Sequence, residues 1–459
     1  IIFSKENLNK MEAIYGPKYR EAMENILSRM KTGINRPFGG SRVGNQILDY
    51  LNGSVGAIMF FNTRSAVLQT ISSINFINIS GDNNILAAGK AFANQPQYWK
   101  DFVELINSDY LKDRRNGLKL NISESEIADA AATSKNKSKA ALNYILQKGF
   151  LPTQFADSFA IASGGATFYR NKINSLLKDG LSEKEAKEQA FREFRETAEE
   201  SQQSSRPDKI SQQQASSVGR VILAFANTPS QYARIIKKAA SDLKNKRGDW
   251  KNNISKIIYY GAMQNLIFNA LQQALFAVGF GDEEEDDEKM NKRYTNIGNG
   301  MVDSLLRGLG YGGAAISVAK NLLLDVYERS NRKRPEYVDA AWKLLQFSPP
   351  ISSKISKLKQ AGYMVDKYGD EMIDKGFAID NPAYEAASKV VTATTNVPLD
   401  RLFNKANNIS AAMDEDSETW QSVAMLLGWS EWQIKPKVKK KKKKKKSSFG
   451  STSFGSSSF

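Results

Sequence analysis

Eight consecutive lysines, Lys439, Lys440, Lys441, Lys442, Lys443, Lys444, Lys445 and Lys446, are the densest charge in this 459-residue chain. Lysines packed this closely neutralise polyanions by releasing counterions, without reading sequence. The run opens into Ser, Gly and Phe of low complexity, with Phe449, Phe454 and Phe459 at equal spacing as candidate aromatic anchors. Such a composition cannot bury enough apolar surface to fold alone, so a disordered basic tail is expected from 437 onward. The chain as a whole carries +16, and taking away the eight lysines leaves +8 for the remainder. That remainder concentrates in Lys/Arg clusters at 237–238, 244–247 and 329–334, each able to lie against DNA or anionic lipid. The plainer account of each cluster is a solvated face.

Other chemistries are thinned by what is missing. Histidine and cysteine are both absent, which removes the commonest general base near neutral pH, thiolate nucleophiles and thiolate metal sites. Carboxylates and lysines could still run a hydrolase or phosphotransferase, but the balance points to a binding or structural role with no cofactor and no resident metal. Ala88-Gly89-Lys90-Ala91 lacks the leading glycine and the hydroxyl that a phosphate-cradling loop needs. The glycines at 39–40 and 164–165 follow no recognisable strand and are expected at helix ends or close packing. The acidic run 282–288 is contiguous, whereas a calcium loop alternates its ligands around a glycine, so a solvated loop is expected there.

Residues 257–281 contain no charge at all. A helix of about 20 residues crosses a bilayer core, so this segment has the length. However, Gln264, Asn265, Asn269, Gln272 and Gln273 recur at roughly helical spacing and need partners, from a neighbouring helix or a water-lined channel. A second uncharged stretch, 308–319, carries Gly308 and Gly312 at the spacing that lets helices approach closely. Residues 257–280 and 301–324 are therefore expected to form an apolar helical hairpin joined through the acidic run. Buried core of a soluble bundle is one reading, and contact with a membrane is the other.

The elements that must carry these residues read as helices throughout. Ser182 with Glu185 makes a capping box, and Glu183–Lys187, Lys184–Glu188 and Glu188–Arg192 follow at i,i+4 spacing. Ala186, Ala190, Phe191 and Phe194 supply that helix with its apolar stripe. Hairpin turns between alternating strands are not found, and 41% hydrophobic with 25% charged residues is a globular composition. The expectation is an all-α, extended multi-helix bundle. Its pieces are an N-terminal helical region (1–150), a middle region (151–200), a polar linker (201–217), an apolar core or hairpin (218–330), C-terminal helices (331–436) and the tail (437–459). Thr228-Pro229 reads as a helix ending, and Leu427-Gly428-Trp429 as a helix stop with the tryptophan folding back. A chain opening on Ile1 with no signal-peptide pattern reads as the C-terminal part of something longer.

Several stretches together carry a resemblance. They are 57–66 (Ala-Ile-Met-Phe-Phe-Asn-Thr-Arg-Ser-Ala), 68–75 (Leu-Gln-Thr-Ile-Ser-Ser-Ile-Asn), 211–219 (Ser-Gln-Gln-Gln-Ala-Ser-Ser-Val-Gly) and 225–232 (Phe-Ala-Asn-Thr-Pro-Ser-Gln-Tyr). Residues 259–265 (Tyr-Tyr-Gly-Ala-Met-Gln-Asn), 271–276 (Leu-Gln-Gln-Ala-Leu-Phe) and 426–432 (Leu-Leu-Gly-Trp-Ser-Glu-Trp) complete the set. The pattern resembles the helical C-terminal region of the large polyvalent proteins of tailed phages, polyproteins packaged in the virion. The resemblance implies a virion-interior, non-enzymatic segment that is oligomeric in the particle. It would pack with other virion proteins and DNA, meet the host membrane or envelope on ejection, and carry no catalytic residues. A helical chain without disulfide or metal staples suits a protein that leaves through a narrow tail. The alternative is a sequence-independent DNA-binding packaging module, which needs a positive face in the folded part. An enzyme fragment running on carboxylates and lysines comes third.

Overall fold

A computed structural model of the chain describes residues 3–32, 42–77, 81–116, 127, 130–134, 136–202, 206, 209–223, 227–263, 302–303, 306, 309, 311–330, 348–378, 381–414 and 417–429. Every regular element among the described residues is helical, so the fold is all-α. In chain order the elements are α1 (Lys5–Tyr15), α2 (Pro17–Thr32), α3 (Arg42–Met59), α4 (Thr63–Thr70), a 3-10 turn (Ile71–Phe76), α5 (Ile85–Ala93), α6 (Gln95–Ile106) and α7 (Asp109–Asn116). Next come α8 (Lys137–Gly149), α9 (Leu151–Lys178), α10 (Glu183–Ser201), α11 (Gln212–Ala215), α12 (Ser217–Ile222), α13 (Asn227–Lys244) and α14 (Trp250–Ile258), which runs into a π turn (Tyr259–Met263). The last are α15 (Tyr311–Ser330), α16 (Pro349–Lys375), α17 (Pro382–Thr395), α18 (Leu399–Ala412) and α19 (Thr419–Leu426).

The core is built around α9. Phe76, Tyr98, Phe102, Leu105, Leu111, Ile161, Tyr169, Ile173 and Phe194 form one buried cluster drawn from the 3-10 turn, α6, α7, α9 and α10. Gly164 and Gly165 sit in the middle of α9, not at a helix end. A Cβ on Gly164 would lie 2.1 Å from the Ser73 carbonyl oxygen, and one on Gly165 would lie 2.3 Å from the Phe194 ring. Close packing is thus why these positions carry no side chain. α10 forms as its sequence dictates: Ser182 and Glu185 make the reciprocal cap, Lys187 pairs with Glu183 at 2.7 Å, and Ala186, Ala190 and Phe194 are fully buried. A fully buried Phe194 contributes roughly 1.5–3 kcal/mol of apolar burial. Because α9 and α10 share this core with α6 and α7, the expected division at 150 does not separate two cores.

Three further expectations meet the structure. The polar linker of 201–217 is partly packed: Ser201, Gln202 and Ile210 are buried, and Ser211 caps α11 with a capping box. Polar side chains are buried there because they find partners, as when Gln202 Nε2 donates to the Ser72 carbonyl at 2.9 Å. Pro229 does not end a helix; it lies in the first turn of α13. The missing N–H of proline costs nothing at that position, since the first helical N–H groups have no intrahelical acceptor. Ala88-Gly89-Lys90-Ala91 lies within α5, consistent with its rejection as a phosphate loop.

The C-terminal helices return to the N-terminal quarter. Asn396, in the left-handed conformation at the end of α17, donates to the Tyr50 carbonyl at 3.0 Å, and Ser54 Oγ donates to Asn396 Oδ1 at 3.1 Å. α19 stops as expected at Gly428 (φ 106), where the Trp429 N–H donates to the Ala424 carbonyl at 3.1 Å. Trp429 is buried against Met425 and Val67, and Arg64 stacks over its ring.

Lys354 of α16 lies at the same junction. Its ammonium donates to Ala393 O and Asn396 Oδ1 and sits 4.2 Å from the Tyr50 ring centroid. Burial pushes its pKa from 10.5 down to about 8. The sign follows from proton counts: below about 8 the folded and unfolded states are both protonated and the burial penalty is fully present. Between about 8 and 10.5 only the unfolded state holds the proton, so stability rises with pH. Lysine-selective 13C NMR should show one ammonium titrating near pH 8 that disappears in Lys354→Met; if every lysine titrates above pH 10, this assignment fails.

Candidate functional site

α13 and α14 form a tight antiparallel pair whose turn is made by local chemistry. The Arg247 N–H donates to the Asp242 carbonyl at 2.7 Å, and Lys246 (φ 55) and Gly248 (φ 64) take left-handed conformations. Asp249 caps α14 by accepting from the Lys251 N–H at 3.0 Å, and Asn253 Nδ2 donates to the Arg247 carbonyl at 2.9 Å. Residues 227–263 hold eight Lys/Arg and two Asp/Glu, a balance of +6. Lys237, Lys238, Lys244, Lys246, Arg247 and Lys251 are all exposed, as is Trp250, with the Lys251 ammonium 5.9 Å from its ring centroid. The turn therefore presents a concentrated positive surface with one aromatic face.

The inner side of the pair packs on α10 and leaves two cavities. One, of about 180 Å3, is lined by Lys209, Gln231, Arg234, Lys238 and Lys256, with Glu199, Glu200 and Asp242. The other, of about 130 Å3, is lined by Asn75, Phe168, Thr197, Ser255, Tyr259 and Tyr260. Lys256 and Glu200 belong to both walls. Gln231 is 2% exposed, and neither its amide nitrogen nor its amide oxygen has a hydrogen-bond partner. Tyr232 and Tyr260 pack with ring centroids 5.2 Å apart, and Tyr259 meets Tyr260 edge-on at 5.0 Å. Burial raises the pKa of both Tyr259 and Tyr260, so these phenols stay protonated.

Behind the first cavity runs a buried ionic network. Arg114 donates through Nε to Asp157 Oδ2 at 2.6 Å and through Nη2 to Oδ1 at 3.3 Å, and its Nη1 reaches Glu199 Oε1 at 3.3 Å. Tyr110 donates to the same Glu199 oxygen at 2.9 Å, and Gln69 Nε2 donates to Asp157 at 3.3 Å. Burial is the largest influence and works against the Arg114 charge, but the attraction and hydrogen bonding of Asp157 together with Tyr110 and Glu199 outweigh it and raise the pKa. The Asp157 carboxyl is raised by its burial while Arg114 pulls it down, and the bidentate geometry is that of a carboxylate. This network ties α7, α9 and α10 together. Glu199, fixed by it, forms part of the cavity wall.

Gln264, Asn265, Asn269, Gln272, Gln273, Gly308, the acidic run 282–288 and the lysines 439–446 fall outside the described residues. Gly312 lies in the first turn of α15, whose range Tyr311–Ser330 overlaps the second expected hairpin segment. Residues 257–263 continue α14 into the π turn, so that helix starts at Trp250, ahead of the uncharged stretch. Among the described residues no helix is long and apolar enough to cross a membrane, and no group of three or more acidic side chains could hold a metal ion. Of the basic clusters, 237–238 and 244–247 come together on one hairpin. Sequence reasoning missed Gln231, although a polar residue on the buried face of an amphipathic helix was the available signal. It also missed the Arg114–Asp157–Glu199 network, whose members are far apart in the chain and share no spacing rule. Three of the stretches that carry the resemblance touch one another: Asn75 Nδ2 donates to Tyr232 Oη at 3.4 Å, and Tyr259 Oη donates to the Ile74 carbonyl at 2.9 Å, with Asn75 and Tyr259 lining the second cavity. No family model matches the chain, and no curated protein or solved structure matches it either.

Proposed function

We propose that the chain is a non-enzymatic helical segment of a phage virion-associated polyprotein that packs against DNA without reading its sequence and against other virion proteins. The observation that carries the DNA contact is the α13–α14 hairpin, a positive face in the folded part of the chain with six exposed cations and an exposed tryptophan. Phosphate neutralisation by such a surface needs no base-edge contact, and Trp250 offers a stacking face to any unpaired base. Packing with proteins is supported by an aromatic row on α6 and α9. Rings of Trp99, Phe102 and Phe159 follow one another at centroid distances of 5.4 Å, with Trp99, Val103, Phe155 and Phe159 exposed. Apolar surface of this kind on ordered helices is a protein-contact feature. The resemblance in the quoted stretches supplies the virion setting.

Binding of the intact chain to random-sequence duplex DNA, followed over a salt series, tests the reading. Replacing Lys244, Lys246, Arg247 and Lys251 together with glutamine should flatten the log affinity against log salt slope by roughly three to four, close to 0.9 for each phosphate no longer neutralised. Deleting residues 437–459 in a separate arm isolates the contribution of the lysine run, expected to be weak and equally salt-sensitive. Unchanged affinity and slope in the four-residue variant would remove the hairpin as the binding element.

A further inference from the structure

We infer that the paired cavities between α10 and the α13–α14 hairpin form a binding site for a nucleotide unit, its phosphate in the first and its base in the second. The first cavity is built for an anion. Lys209, Lys238 and Lys256 line it without an ion pair among the described residues. Arg234 joins them from α13, so four cations line the wall against three carboxylates, Glu199, Glu200 and Asp242, and Glu199 is held towards Arg114. At its edge Gln231 is buried with both amide atoms unpaired. An amide left this way is unfavourable, and a ligand offering both an acceptor and a hydroxyl or N–H would satisfy it.

The second cavity has a different character and adjoins the first across Lys256 and Glu200. Tyr259, Tyr260 and Phe168 give it aromatic walls, and Thr197 and Ser255 add hydroxyls. A flat heterocycle meets aromatic surface there and hydrogen-bonding groups at its edge, while an anionic group on the same molecule reaches the lysines. A ligand with a phosphate at one end and a base at the other satisfies both halves. A simple phosphate would leave the aromatic half empty, and a nucleoside would leave the three lysines without an anion. The site shares Lys238 with the duplex-contact face but none of the turn residues Lys244, Lys246, Arg247 and Lys251 that test that contact.

Calorimetric titration of the intact chain with deoxyadenosine monophosphate, inorganic phosphate and deoxyadenosine as separate probes tests this. The monophosphate should bind at least tenfold more tightly than either part. Gln231→Leu and Lys256→Gln should each weaken it at least tenfold, and Tyr260→Leu should weaken the monophosphate while leaving inorganic phosphate unchanged. Lys209→Gln, at a partly exposed residue without an ion pair, is the variant that tests the cationic wall with the fold undisturbed, and it should weaken both phosphate probes. A single-stranded oligodeoxyadenylate distinguishes the source. Loss of its binding in Tyr260→Leu assigns the site to a nucleotide within a strand, and retention of its binding alongside loss of the monophosphate assigns it to a free nucleotide. The proposal is overturned if the monophosphate binds no more tightly than phosphate, or if Lys209→Gln and Tyr260→Leu both leave its affinity unchanged in chains that unfold like the parent.

Discussion

Replacing Asp157 with leucine is expected to lower the stability of the chain by about 3–5 kcal/mol, because it strands the buried Arg114 charge. The Arg114 and Asp157 side chains are 2% and 0% exposed, so water cannot take over their hydrogen bonds. Glu199 holds Arg114 through a single bond at 3.3 Å and cannot replace a bidentate partner. Substituting both members, Arg114→Met with Asp157→Leu, should lose much less than the single change, since no orphaned charge remains. Urea unfolding of the two single variants and the double variant measures the coupling directly. A loss below about 1 kcal/mol for Asp157→Leu, within the range of exposed pairs, would mean the pair is solvated and does not organise the core.

Gly164→Ala is expected to cost at least about 3 kcal/mol, although alanine is the better helix former by about 1 kcal/mol. The new methyl would meet the Ser73 carbonyl at 2.1 Å and the Phe76 ring at 2.8 Å, and the first of these is backbone that cannot rotate away. Relief requires α9 and the 3-10 turn to separate, which loosens the ring stack of Phe76 on Phe194, now at 5.8 Å. Gly165→Ala meets the end of the Phe194 ring instead and should cost less, about 1–3 kcal/mol. Gly89→Ala serves as the control: it is exposed in α5 with nothing within 4 Å, and should stabilise by about 0.5–1 kcal/mol. Equal effects at the three positions in chemical denaturation would rule out the close approach.

Local rules were sufficient for what lies within a few residues. The helical class, the Ser182–Glu185 cap, the apolar stripe of α10 and the stop at Gly428 each depend on groups one turn apart, and the structure has them as the sequence dictates. Pro229 shows the margin of such rules, because one proline ends a helix or begins one according to which side holds the apolar periodicity. The basic clusters were legible as composition, yet only the turn at Lys246 and Gly248 decided that two of them share a hairpin. Contacts between distant segments were out of reach. Arg114, Asp157 and Glu199 meet through the packing of three helices, and Gln231, Lys256 and Tyr260 line adjoining cavities only because α13 and α14 fold back onto α10. Periodicity states which face of a helix is buried but not which helix covers it. That choice belongs to complementary shapes and charges far apart in the chain, and here it is what sets the Glu199 and Gln231 walls of the cavity beside the lysines.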